Sequence, residues 1–466
     1  MLPTLLVVLV GDIGPSISAQ DLTVLPARPA TPVYLHNARL HTVEDGDIEG
    51  GALLLRDGKI EAVWRADDER HIDAASTIIV DLQGKDVWPG LISPWTALGL
   101  SEIASLPDTI DLDEVGDTNP ELYASVAVNP DATAIPVTRQ NGVLTAGVAP
   151  RGGLVPGHLS VMSLAGWTSA EMTVRSDAGL VVEWPSDGAA GGLGRRVRAP
   201  VADPAAPPRN ANQTPAPRRE TARIDRAGDR RALRAREARL DDLIAQARGY
   251  ASARAADPEL PIDVRFDGML QVLSGLTPVF VRAASRDQIE RAVDWGQRHE
   301  LRLVLVGAES AMECADLLRA RDIPLILASP HRLPSRRDAD YDEAFALPAK
   351  VHAAGLRWCL AHELGGFANE RNLPYAAGTA IAYGLDRGAA LRAMTLSTAE
   401  ILGVADRLGS LRVGKDATLF VTRGEPWELD SEIEDVWIGG RRIERTSKQT
   451  ELARKYREKY RQLDRK

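Results

Sequence analysis

The chain of 466 residues has only two cysteines, Cys314 and Cys359, which excludes a disulfide framework. Both sit in apolar stretches and read as buried thiols. Histidine is sparse as well. The eight are His36, His41, His71, His158, His299, His331, His352 and His362, and no two stand as His-x-His or His-x-x-x-His. That spacing excludes a ready-made histidine pair on one strand or one helix face. No apolar run approaches the roughly 20 residues a membrane-crossing helix needs. A net charge of −9 argues against nucleic acid as the main partner.

What is present is an ordinary globular balance, 44% hydrophobic and 26% charged, in a chain long enough for one large domain and a smaller one. The apolar run 5–10 is followed by Gly11, Pro15 and small residues up to Ala19. It reads as an export signal over 1–19, although no Lys or Arg precedes it, and implies a periplasmic or secreted protein. Residues 33–92 read as strands and turns, with Asp57-Gly58 between two apolar runs as a hairpin signal. Strands recur near the far end, at 417–422 and 436–443. The middle alternates apolar strands (142–148, 279–282, 303–306, 324–327, 356–360) with helical patterns (288–299, 311–321, 376–384, 389–394), which predicts a parallel sheet with crossover helices.

Residues 186–228 break that rhythm. They are rich in Gly, Ala, Pro and Arg, and the composition predicts a disordered surface insertion. From 229 onward Leu233, Leu240, Ile244 and Ala247 fall at helical core spacing. The last residues, 447–466, read as a charged helical tail with Tyr456 and Tyr460 on one face.

The segment 81–92, with Val87-Trp88-Pro89-Gly90-Leu91-Ile92, resembles the strand that leads into the barrel of the amidohydrolase superfamily. Thr395-Leu396-Ser397-Thr398-Ala399-Glu400-Ile401-Leu402-Gly403 resembles that family's last barrel helix. The stretch 407–419, Arg-Leu-Gly-Ser-Leu-Arg-Val-Gly-Lys-Asp-Ala-Thr-Leu, resembles its turn back into the small domain. The nearest flavour is that of imidazolonepropionase-like secreted members. The resemblance implies an α/β fold, a (β/α)₈ TIM-type barrel plus a small β-sandwich formed from both chain ends. On that reading 20–92 and 403–446 form the composite sandwich and 93–402 the barrel.

The family also implies zinc, held first by an Asp-x-His-x-His motif after Pro-Gly-Leu-Ile. This chain reads Ser93-Pro94-Trp95-Thr96-Ala97 there, so Trp95 and Ala97 stand at the two histidine positions. The fifth-strand ligand falls near Arg282, the sixth near Gly307 and the eighth near Glu363, with His362 sharing that last assignment. Indole, methyl, guanidinium and a bare glycine cannot ligate zinc. No cofactor is therefore expected.

The residues left for chemistry are Glu363 and His362 as acid and base. Trp95, His158, Arg282, Arg371 and Asn372 are the candidates for substrate contact, with Arg282 expected to pair with Glu363 and His158 expected on a loop. By resemblance the chain is a hydrolase of non-peptide C–N bonds with a degenerate metal site. The alternatives are a metal-free barrel that binds a small molecule or protein partner without catalysis, and a metal-free hydrolase. A small-molecule ligand, no nucleic acid and no membrane span are the expected partners, with oligomeric state left open.

Overall fold

A computed structural model describes residues 23–103, 105–186, 226–336 and 338–463. The expected export signal at 1–19 lies outside the described residues, as does most of the expected insertion, 187–225.

Strands from both chain ends form one sheet, in the order β16-β15-β14-β5-β1-β2-β3 with β4 also pairing β1. The ranges are β1 Val33–His41, β2 Asp47–Arg56, β3 Lys59–Trp64, β4 Ile78–Asp81 and β5 Asp86–Pro89. From the far end come β14 Leu419–Arg423, β15 Glu432–Ile438 and β16 Arg441–Arg442. The two ends meet where β14 pairs antiparallel with β5, Phe420 opposite Trp88. The Asp57-Gly58 turn joins β2 to β3 with both residues at positive φ, 50° and 83°. A side chain on Gly58 would also collide with the Gly439 carbonyl, 2.9 Å away. One face of the sheet buries Leu35, Leu40, Leu53, Val87, Leu419 and Trp437. The other, with Trp88, Phe420 and Val436, packs on the barrel, where the Phe420 ring lies over Gly142.

The second sheet is the barrel. It runs β6-β7-β8-β9-β10-β11-β12-β13, with β6 Leu91–Thr96, β7 Val143–Val148, β8 Gly157–Ser163 and β9 Thr173–Glu183. It continues through β10 Val279–Ala283, β11 Leu303–Gly307, β12 Leu325–Leu327 and β13 Trp358–Leu360, which lies back against β6. Five of the strands follow the sequence pattern. The arrangement departs from an all-parallel barrel at β8, which is antiparallel to both β7 and β9. The cause is connection length: 149–156 and 164–172 are too short for a crossover helix, so the chain can only reverse.

Alternating residues of these strands fill the interior, among them Ile92, Leu159, Val181, Phe280, Val306, Ile326 and Cys359. Ala399, Leu402 and Leu408 join the same cluster, adding the last barrel helix Leu396–Ile401 and its exit to the interior packing. The long helix Arg226–Ala256 buries Leu233, Leu240, Ile244 and Ala247, the four positions its spacing predicts. No described helix is long and apolar enough to cross a membrane.

Candidate functional site

Strand ends position the candidate residues. β9, β10 and β11 deliver Glu183, Arg282 and Glu309 to one end of the barrel, and the turn after β7 delivers Arg151. The segment after β13 adds His362 and Glu363. These are the C-terminal ends of the parallel strands, where sites of this fold are built.

The ion pairs differ from expectation. Arg282 pairs with Glu183, at 3.5 Å, and not with Glu363. Register explains the choice: β9 is the hydrogen-bonded neighbour of β10, and Glu183 stands directly beside Arg282, whereas β13 lies three strands away. Glu363 instead accepts a hydrogen bond from Asn369 Nδ2 at 3.2 Å. Arg151 donates from Nη2 to the Leu364 carbonyl at 2.6 Å, and its Nε is buried with no partner. Burial first, then the nearby Arg282 guanidinium, pulls Arg151 below the usual arginine range.

His362 is 6% exposed and its Nδ1 has no partner. Burial lowers its pKa against the opposing pull of Glu363, so the imidazole is held neutral. The His331 ring stands edge-on to it, centroids 6.2 Å apart, with Nε2 2.7 Å from Thr379 Oγ1. Glu309 is raised by burial, and its Oε2 is unpaired.

Trp95 is 1% exposed and turned into the barrel, its ring centroid 6.0 Å from that of Phe280. A bulge between Ser93 and Thr96 produces that turn. Gly307 sits at φ 97°, a conformation that disfavours any side chain, and a Cβ there would stand 3.1 Å from Glu309 Oε2. Ala97 is fully buried, its N–H bonded to the Gly366 carbonyl at 2.9 Å. Among the described residues no three His, Cys, Asp or Glu side chains are arranged to hold a metal ion. The donor set at these positions does not fit the zinc that the family resemblance implies.

His158 is not on a loop and not at the mouth. It lies in β8, next to Leu159, whose side chain enters the interior, so alternation sends the imidazole outward. There it is 0% exposed, with Nδ1 2.7 Å from Asp177 and Nε2 2.9 Å from the Pro120 carbonyl, stacked on Tyr123. Both ring nitrogens are spent on structure. Arg371 and Asn372 lie on the barrel's outer flank. Arg371 is exposed and offers only its carbonyl, which accepts from Asn141 Nδ2 at 2.9 Å. Asn372 precedes the helix Leu373–Ala382 without capping it through its side chain.

Sequence reasoning missed Arg151, Glu183, Glu309 and Glu370. The first three sit at or just past strand ends, and finding β9 was the step needed to see Glu183. Glu370 is 0% exposed behind β6, where Ser93 Oγ donates to its Oε2 at 2.6 Å while Oε1 has no partner. Burial pushes its pKa to about 8. A cleft of about 360 Å³ opens at the opposite end of the barrel, beside Pro278, Arg302, Pro324 and Arg357, residues that precede β10 to β13.

A composite sheet of both chain ends on an eight-stranded barrel, with charged side chains gathered at the C-terminal strand ends, is an amidohydrolase-type fold. Residues 349–443 match the Amidohydrolase family. An amidohydrolase from Thermotoga maritima MSB8 superposes with a TM-score of 0.72 at 22% identity, covering 89% of this chain and 100% of that one. Molinate hydrolase (TM-score 0.54, 13% identity, 89% and 95% coverage) and phenylurea hydrolase B (0.52, 14%, 89% and 97%) share the fold. No curated protein matches the chain. The matched segment runs from the helix before β13 to the end of the composite sheet, and the solved structures share the fold.

Proposed function

We propose that this chain is an amidohydrolase superfamily member that binds a small molecule at its barrel mouth and does not carry out metal-dependent hydrolysis of C–N bonds. The observation that carries the reading is Trp95. It stands where the family resemblance puts the first metal histidine, and it packs on Phe280 inside the barrel. An indole has no lone pair for a metal, and its bulk fills interior volume next to the mouth. Fold likeness to hydrolases does not by itself transfer their activity. The apolar run 5–10 supports action outside the cytoplasm.

Elemental analysis of protein purified without chelators tests the reading. The expected result is zinc, manganese, iron, cobalt and nickel each far below one per chain. Near-stoichiometric metal, together with amide or urea hydrolysis that a chelator abolishes, overturns it.

The adjacency of His362 and Glu363 favours a second reading, a metal-free hydrolase. Neutral His362 takes the proton from a water attacking the carbonyl carbon, Glu363 steadies the imidazolium, and the imidazolium returns the proton to the leaving nitrogen as the C–N bond breaks. Hydrolysis that persists in chelator and is lost in His362→Ala identifies this case.

A further inference from the structure

Two guanidinium groups share the mouth, and neither is fully occupied. Arg151 is tied down by one bond to the Leu364 carbonyl, with its guanidinium lying against Gly365 in the space a side chain there would need. Its Nε is buried and unpartnered. Among the described residues Arg282 has one ion pair, with Glu183 at 3.5 Å, and keeps a third of its side chain in solvent. Two like charges in a half-buried setting are unfavourable unless something negative joins them.

The surrounding groups point the same way. Burial raises the pKa of Glu309, and its Oε2 has no hydrogen-bond partner. His362 is nine-tenths buried, neutral, and has an unbonded Nδ1. Glu183 and Glu363 stand at the rim with 27% of the Glu183 side chain exposed. Glu183 is engaged with Arg282 and Glu363 with Asn369, so neither carboxylate bonds Arg151 among the described residues, and both would repel a ligand with several negative charges.

We infer that the mouth clasps one oxyanionic group of a small molecule, a carboxylate or a phosphate, between Arg151 and Arg282. This rests on the reading of the mouth as a binding site. Guanidinium groups suit such a ligand because their forked donors match the spacing of two oxygens.

Calorimetric titration of the full chain with propionate and with inorganic phosphate tests the inference, with methylammonium as the control. Saturable one-to-one binding of at least one anion is expected, and the tighter of the two identifies the group. Arg151→Gln and Arg282→Gln should each weaken it by roughly tenfold or more, as charge-assisted bonds imply. Arg282→Lys, which keeps the charge, should retain part of the affinity and covers the case in which a Gln variant does not fold. Arg357→Gln, at the far end of the barrel, should bind as the parent does. No saturable binding by metal-free protein, or unchanged affinity in folded Arg151→Gln and Arg282→Gln, overturns the inference and leaves the metal-free reading standing. Anion binding that appears only with stoichiometric zinc overturns both.

Discussion

Trp95 and Arg282 both stand where the family resemblance puts metal ligands, yet they carry different weight. Trp95 is enclosed by interior side chains, so Trp95→Ala leaves a cavity that the strands cannot collapse to fill. A loss of about 3–5 kcal/mol is expected from denaturant unfolding. Arg282 is a third exposed and 3.5 Å from a partner that is also partly exposed. Water screens such a pair, so Arg282→Ala should cost under about 1 kcal/mol. Equal losses in the two variants would show that the mouth is closed in solution. Sequence alone supported an Arg282–Glu363 pair. That expectation failed because a residue's position at a strand end does not say which neighbouring strand supplies the partner. Glu370 was illegible for a related reason: nothing in Asn369-Glu370-Arg371 announces burial, and only the docking of that turn behind β6 creates it.

At the scale of elements, the segment after β13 takes over the end of the first barrel strand. The Gly366 carbonyl accepts from Thr96 Oγ1 at 2.7 Å and from the Ala97 N–H at 2.9 Å. The backbone is thus stitched across the place where the family's histidine motif would stand. The β7–β8–β9 meander was the largest gap in the sequence reading. β8 is bounded by Gly157 and carries His158, Ser160 and Ser163, so its apolar pattern is diluted. The decisive clue was spacing, which forbids parallel crossovers. The terminal helix Lys448–Leu463 is the opposite case: its charge pattern announced it, and none of its residues is buried. Truncation before Lys448 should therefore shift stability by less than about 1 kcal/mol, as for other surface changes. A larger drop in melting temperature would mean that the helix packs on something in solution.

For the whole molecule, two carboxylates set opposite pH responses. Glu44 ties the β1–β2 turn to the returning segment through Ser410, Arg412 and Lys415. Burial alone would raise its pKa, but these partners outweigh burial and hold it at about 2, against 4.5 for a free glutamate. The unfolded chain binds the extra proton between those values. Stability from Glu44 is therefore complete above pH 4.5 and is lost toward pH 2, by about 1 kcal/mol once water screening of this exposed glutamate is counted. Glu370 has the opposite sign. Its folded value of about 8 lies above 4.5, so the folded chain holds the extra proton, and stability falls as pH rises from 4.5 through 8, by up to roughly 5 kcal/mol. Melting temperature should peak in mildly acidic buffer, and Glu370→Gln should flatten the alkaline side while leaving the acid side intact. An unchanged alkaline slope in that variant would remove Glu370 as its source.

Local pattern determined much of this protein by itself. Asp57-Gly58 fixed a hairpin, helical spacing fixed the buried face of 226–256, strand–helix alternation fixed five barrel strands, and the segments 81–92, 395–403 and 407–419 carried the family resemblance. That resemblance put Trp95, Ala97, Arg282 and Gly307 where zinc ligands are expected. The tertiary structure decided the rest. It set the direction of β8, the outward turn of His158, the choice of Glu183 as Arg282's partner and the burial of Glu370. Each of these depends on which distant strand or turn lies alongside, and a contact between segments far apart in the chain leaves no periodic trace in either one.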